Sequence, residues 1–192
     1  MEKILENNPI STIGHFKRPC LHIWRGISAI QITKQKSDHE VNVNIREVRE
    51  EELDLVHNIE EKTYEKPWSR SFFKLMSKVS EDLFIVAIEA EEIVGYSVGE
   101  VEIRKKGEKK GHLLNVAVKK QYRNQGIGTM LMDEMENRFL EKGCTLSYLE
   151  VRDSNLKAQK LYRNRGYNYV RRVKNYYGNE DAFIMEKKLA EK

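Results

Sequence analysis

A chain of 192 residues fits one ordinary domain with some length to spare. Its 40 % hydrophobic residues suffice for a packed core and its 33 % charged residues favour solubility, while no run approaches the roughly 18 uninterrupted apolar residues of a membrane span. The formal net charge of +4 suits an anionic ligand as well as RNA and selects neither.

Residues 1–42 read differently from the rest. They hold Pro9, Pro19, Cys20 and Trp24 without a sustained helix or strand period. A signal peptide needs an apolar core of about 7–15 residues, and Ile23-Trp24-Arg25-Gly26-Ile27 is broken by charge and glycine. This N-terminal extension is expected to be a flexible tail or a short arm packed on the domain. Val41 or Val43 is an alternative start, which N-terminal mass spectrometry of the native protein tests. Cys20 and Cys144 match no metal-ligand spacing and are expected as reduced thiols in a cytoplasmic protein.

The domain itself spans 43–192. Alternation over 43–48 predicts a strand. Leu53, Val56 and Ile59 recur at helical spacing, Pro67-Trp68-Ser69 interrupts, and Ser69 caps a second helix bearing Phe72, Phe73 and Met76. Strands follow over 83–88 and 93–103, turning at Ala90-Glu91-Glu92. The basic run 104–111 reads as a solvated hairpin loop leading to a strand over 113–118. A helix from about 128 to 141 carries the stripe Ile127, Leu131, Met135 and Phe139 and ends at Gly143. A strand over 146–151, a helix over 155–164 ended by Gly166, and strands near 167–173 and 182–188 complete the chain. Hairpins first and helical crossovers later give a mixed α/β sheet.

The segment 116–129 is the most informative: a strand, a polar turn, then glycines opening a helix. Helix starts present unpaired backbone N–H groups and partial positive charge. Glycines let a diphosphate approach them closely, and Arg123 adds charge. A tight turn with close helix packing explains the glycines alone equally well. There is no Gly-Lys-Ser/Thr for a Walker loop and no three-glycine dinucleotide fingerprint.

Arg123-Asn124-Gln125-Gly126-Ile127-Gly128 resembles the Arg/Gln-x-x-Gly-x-Gly/Ala motif of the GNAT acetyltransferase superfamily. Asn155-Leu156-Lys157-Ala158-Gln159-Lys160-Leu161-Tyr162, followed by Gly166-Tyr167, is similar to that superfamily's second motif. The stretch 59–69 with its Pro67-Trp68-Ser69, the stretch 113–118, Leu149-Glu150-Val151-Arg152, Asn175-Tyr176-Tyr177 and Glu180-Asp181-Ala182 are similar to the RimI branch and the related archaeal N-terminal protein acetyltransferases. The resemblance covers about 43 to 189. It implies a mixed, mostly antiparallel central sheet flanked by helices, with a central parallel strand pair forming the acetyl-CoA cleft. It further implies direct acetyl transfer, through a ternary complex, to the α-amine of protein N-termini, ribosomal proteins among them. The pantetheine would lie along Val116, Ala117 and Val118. The pyrophosphate would lie on Arg123, Asn124, Gln125, Gly126, Ile127, Gly128 and Thr129, with Asn155 hydrogen-bonding the pantetheine. Read from the residues alone, Asn155 is a helix cap.

Acetyl transfer to an amine requires removal of an ammonium proton and return of a proton to the leaving thiolate. By the same resemblance Glu150 is the base, directly or through a water, and Tyr162 the acid. Glu100, Glu102 and His112 are alternative bases. A free carboxylate near pKa ~4 is a poor base unless its surroundings raise it. Glu65, Trp68, Tyr176 and Tyr177 would border the acceptor, with one of the two tyrosines facing the cleft. No metal, membrane or direct nucleic-acid partner is expected, and the chain is expected as a monomer or weak dimer. Two alternatives stay open: acetylation of lysine side chains or small amines, and a non-catalytic ribosome- or RNA-associated module.

Overall fold

The computed structural model describes residues 30–32, 42–104 and 107–190. The readings placed on Pro9, Pro19, Cys20, Trp24 and Val41 lie outside the described residues. Eight strands form one sheet: β1 (Ile30–Ile32), β2 (Val43–Glu47), β3 (Phe84–Glu89), β4 (Glu92–Ile103), β5 (Lys109–Val118), β6 (Leu146–Arg152), β7 (Asn168–Val173) and β8 (Ala182–Lys188). Their order is β1-β2-β3-β4-β5-β6-β8-β7. Among the described residues four α-helices accompany them: α1 (Leu53–Thr63), α2 (Arg70–Val79), α3 (Ile127–Glu141) and α4 (Leu156–Asn164). β1 belongs to the stretch before residue 43 and pairs antiparallel with β2.

All neighbouring strands are antiparallel except β5 and β6. That single parallel pair is short, with Lys110, Gly111 and His112 opposite Leu146, Ser147 and Tyr148. Beyond His112, β5 pairs only with β4 and β6 only with β8. The two central strands therefore part and leave a gap in the middle of the sheet. A bulge at the point of parting, where Val98 pairs with Asn115 but Gly99 with Leu113, bends β5 away.

The sheet has a core on each face. β3 alternates between them, with Ile85 and Ala87 in one cluster and Phe84 and Val86 in the other. The expected stripe of α3, Ile127, Leu131, Met135 and Phe139, is buried on the first face. The Phe139 ring lies directly over Gly111 and Gly99, so the absence of side chains there lets α3 sit close to the sheet. Leu53, Val56 and Ile59 of α1 and Phe73 and Met76 of α2 cover β3–β5 on the opposite face. The Ser69 side chain accepts the Phe72 N–H, as its cap position predicts.

One element departs from the sequence expectation. β5 begins at Lys109, so the hairpin loop is shorter than 104–111 and is closed by the Arg104 N–H to the Glu108 carbonyl. Polarity suggested a loop because Lys109 and Lys110 stand at the sheet's rim, where their aliphatic stems can join a strand while the ammonium groups reach water. Cys144 is a buried free thiol. Among the described residues no helix is long and apolar enough to cross a membrane.

Candidate active site

The gap between β5 and β6 opens into a cleft of about 290 Å³. Glu60, Tyr64, Lys66 and Trp68 border it from α1 and the loop after it, His112 and Val116 from β5, and Glu150 from β6. Asn155 and Tyr162 of the α4 region and Tyr176 and Tyr177 of the β7–β8 turn complete the wall. The structure thus gathers Glu150, Tyr162, Val116, Asn155, Trp68, Tyr176 and Tyr177 around one space. It does not bring Glu65 to the wall: Glu65 is exposed and its neighbour Lys66 takes the place. Residues 123–129 stand outside this cleft, at the start of α3.

Just past the end of β5 the N–H of Lys119 donates to the Val94 carbonyl of β4. Antiparallel alternation then commits the backbone of Ala117 to β4 and turns that of Val116 and Val118 toward the gap. The Val116 carbonyl accepts from the Tyr64 hydroxyl at 3.0 Å and the Val118 carbonyl from Arg123 Nε at 2.8 Å. Arg123 also reaches Thr63 Oγ1 at 3.3 Å, so its guanidinium braces the loop against β5 and α1. The Ala117 side chain is core.

Asn124 and Gly126 both adopt left-handed backbone, with φ of 65° and 86°. They swing the chain into α3, where the first helical bond is Met130 N–H to the Gly126 carbonyl. No side chain caps this helix, which leaves the N–H groups of Ile127, Gly128 and Thr129 without helical partners. A Cβ at Gly128 would meet nothing closer than Val118 at 3.8 Å, so packing within the chain does not require glycine there. Gln125 is turned back onto the Gln121 carbonyl. Asn155 caps α4 by accepting the Ala158 N–H at 3.1 Å, and its amide still borders the cleft.

Glu150 Oε2 lies 2.7 Å from His112 Nε2, and both side chains are largely buried. His112 Nδ1 lies 3.2 Å from Glu100 on β4. Burial opposes the charged imidazole, but the bonds and charges of Glu150 and Glu100 outweigh it and raise its proton affinity. Tyr162, which borders the same cleft, is buried against the core under α3 and α4, and burial pushes its hydroxyl well above the usual phenol range. A hydroxyl so held keeps its proton and can donate it.

The wall formed by α1 and the loop after it rests on a network that no spacing in the sequence reveals. Glu60, only 1 % exposed, accepts the Trp68 N–H at 3.0 Å on one oxygen. Its other oxygen accepts from the Tyr96 hydroxyl and from the Asn115 amide at 3.2 Å. Asn115 Oδ1 in turn accepts from Tyr64 at 2.8 Å. Trp68 is half core, edge-on to Phe72 with centroids 4.5 Å apart. Both Tyr176 and Tyr177 border the cleft, not one of them, because they lie in a turn between β7 and β8 and not on an alternating strand. Arg152 stacks over Tyr177 at 4.0 Å and pairs with Glu180 at 2.9 Å, which also accepts the Ser154 N–H. Burial, with Tyr176 and Glu150 nearby, pushes the Tyr177 hydroxyl up to about 12. Among the described residues no three His, Cys, Asp or Glu side chains gather as a metal site.

Residues 53–167 match the acetyltransferase (GNAT) family. The chain is 33 % identical over 150 residues to an N-alpha-acetyltransferase of Sulfurisphaera tokodaii, covering 73 % of this chain and 90 % of that protein. It is 28 % identical over 138 residues to the ribosomal protein bS18-alanine N-acetyltransferase of Escherichia coli, covering 70 % and 89 %. Among solved structures it is similar to the NatB acetyltransferase complex bound to CoA and MES, with a TM-score of 0.70 and 28 % identity, covering 76 % of this chain and 99 % of that one. An uncapped, glycine-lined helix start beside a parted parallel strand pair, together with these matches, makes the chain an acetyl-CoA-dependent N-acetyltransferase of the GNAT family.

Proposed function

We propose that the protein acetylates the N-terminal α-amine of other proteins, with Glu150 and His112 as a joint base and Tyr162 as the acid. The observation that carries this is the 2.7 Å contact between Glu150 and His112 on one wall of the gap, with the proton-retaining Tyr162 on another. Acetyl-CoA supplies the acetyl group as a thioester. The N–H groups of Val116 and Val118 offer donors to an extended amide chain, since their carbonyls are already engaged. The free N–H groups of Ile127, Gly128 and Thr129 suit a diphosphate, and the unfilled space at Gly128 gives that glycine a reason. Asn155 serves through its amide while its oxygen caps α4. An acceptor then enters between Lys66-Trp68 and Tyr176-Tyr177, its ammonium directed at Glu150. Tyrosine hydroxyls and the aromatic edge of Trp68 hold a peptide backbone without selecting one side chain. A ribosomal protein N-terminus is one acceptor of this kind.

The paired base answers the weakness of a lone carboxylate. A proton shared between Glu150 and an imidazole of raised affinity is better matched to an amine near neutral pH than a free carboxylate is. The test is thiol release from acetyl-CoA with peptides beginning Ala, Ser, Met-Leu and Met-Glu, and an N-blocked lysine peptide beside them. Turnover is expected with free N-termini and lost by roughly 10²–10⁴-fold in Glu150→Gln and in Tyr162→Phe. Faster turnover of the blocked lysine peptide, or near wild-type rates in both variants, would refute the reading.

A further inference from the structure

His112 is held from three sides. Its ring stacks on Tyr148 of β6, with centroids 4.2 Å apart and planes 12° from parallel. Tyr148 is fixed in turn by its hydroxyl bond to Glu102 at 2.8 Å, and Glu102 pairs with Arg104 at 2.7 Å. With the ring plane set, its two nitrogens point to different compartments. Nε2 meets Glu150 in the cleft at 2.7 Å, and Nδ1 meets Glu100 at 3.2 Å. Glu100 is not part of the cleft wall, and its side chain is 48 % exposed against 12 % for His112 and 14 % for Glu150. Glu100 stands directly opposite His112 in the β4–β5 ladder.

A neutral imidazole has one N–H and can donate to one carboxylate only, whereas the charged ring donates to both. Two carboxylates on opposite nitrogens therefore favour the charged ring. The other charged or titratable groups around the pair are Tyr176 and Tyr177 of the β7–β8 turn, which face Glu150, Glu60, Lys66 and Arg152 on the shared cleft wall, and Glu108, Arg171 and Glu186, which line a second hollow beside Glu150 with Lys110, itself turned to Glu186. None of these bonds to His112 among the described residues.

We infer that Glu100 is a positioning residue of the transfer reaction: from outside the cleft it holds the Nδ1–H of His112 and sets the pH at which the His112–Glu150 pair can take a proton from the acceptor. The inference rests on the pair acting as the base. Each transfer to an ammonium releases one proton to water, and the pair must shed the proton it took before the next turnover. The Glu100 charge opposes that release, so the wild-type pair stays protonated, and inactive as a base, to higher pH than it otherwise would.

The sign of the effect separates this role from structural damage. Glu100→Gln keeps an oxygen for the Nδ1–H but removes the charge. The acid limb of kcat/KM for one peptide is expected to move down by roughly 0.5–1 pH unit, discounted for the exposure of Glu100. Below that limb the variant should then be faster than wild type, which a damaged site cannot be. Glu100→Lys should move the limb further in the same direction. The experiment is a pH–rate profile of wild type and both variants, with the His112 ring titrated by NMR in the same proteins. Parallel downward movement of the His112 titration and the kinetic limb supports the inference. A His112 titration that stays in place overturns it on its own ground. A titration that moves while the limb stays overturns it by removing the pair from the base role.

Discussion

The buried carboxyl of Glu60 offers the sharpest test of how the proposed acceptor wall is built. Glu60→Ala removes the acceptor for three donors: the Trp68 N–H, the Tyr96 hydroxyl and the Asn115 amide. The amide keeps the Tyr96 oxygen at 3.1 Å, so two donors are stranded in a region where Tyr96 is fully buried. A buried donor left without a partner costs about 1–3 kcal/mol, and the emptied side-chain volume adds to that. The expected loss is about 3–5 kcal/mol, against a total stability of roughly 5–15 kcal/mol for a domain of this size. Urea unfolding measures it: with a slope of roughly 2 kcal/mol per molar, the midpoint should fall by roughly 2 M. Glu60→Gln keeps an oxygen for Trp68 and should lose far less stability. Because the loop 64–69 hangs on this side chain, KM for the peptide should rise in Glu60→Ala while KM for acetyl-CoA stays. A Glu60→Ala protein within about 1 kcal/mol of wild type would mean that Tyr96, Asn115 and Trp68 find other partners, and the argument would fail.

Three further outcomes follow from single positions. Gly111→Ala forces a methyl group into the Phe139 ring and should lower stability by about 1–3 kcal/mol, read as a fall in Tm, with partial rescue by Phe139→Leu. Gly126→Ala places a side chain at φ 86°, which costs about 1 kcal/mol, and on the proposed coenzyme site should raise KM for acetyl-CoA more than KM for peptide. Glu180 is held down to about 2 by the Ser154 and Arg152 bonds, from an ordinary 4.5. Its contribution is therefore complete above about 4.5 and lost as pH falls toward about 2, so the stability difference between wild type and Glu180→Gln should shrink across that window in acid-unfolding curves.

What the sequence discloses here is what is local. The glycine turn that opens α3, the cap at Asn155 and the stripe of α3 are readable because helix starts and helix faces are written within a few consecutive residues. The acceptor wall is not local. Glu60 and Asn115 are 55 positions apart and His112 and Glu150 are 38 apart; the packing of α1 on the sheet brings the first pair together and sheet register the second. His112 is therefore one of several alternative bases in the sequence, and Glu60, Tyr64 and Asn115 lie in stretches that carry the family resemblance but no spacing that marks them singly. Glu65 and Lys66 show the same limit on a small scale. In a loop without a period, neither spacing nor polarity says which of two adjacent charges faces the cleft.

The gap between β5 and β6 also explains why so many side chains around it are polar. An open strand edge inside a sheet is unstable unless its N–H and C=O groups find partners, and the simplest partner is a continued parallel pairing that would close the cleft. Three features oppose that closure. The bulge beside Asn115 turns β5 off the line of β6. Asn115 is anchored on the far side by Glu60 and Tyr96, and the carbonyls of Val116 and Val118 are occupied by Tyr64 and Arg123. What remains on the edge is a set of donors without the matching acceptors. Such an edge cannot pair fully with another strand of the protein, yet it suits an extended amide chain that brings its own carbonyls. On the proposed reading, the contacts that keep the sheet parted are the same contacts that define what can fill it.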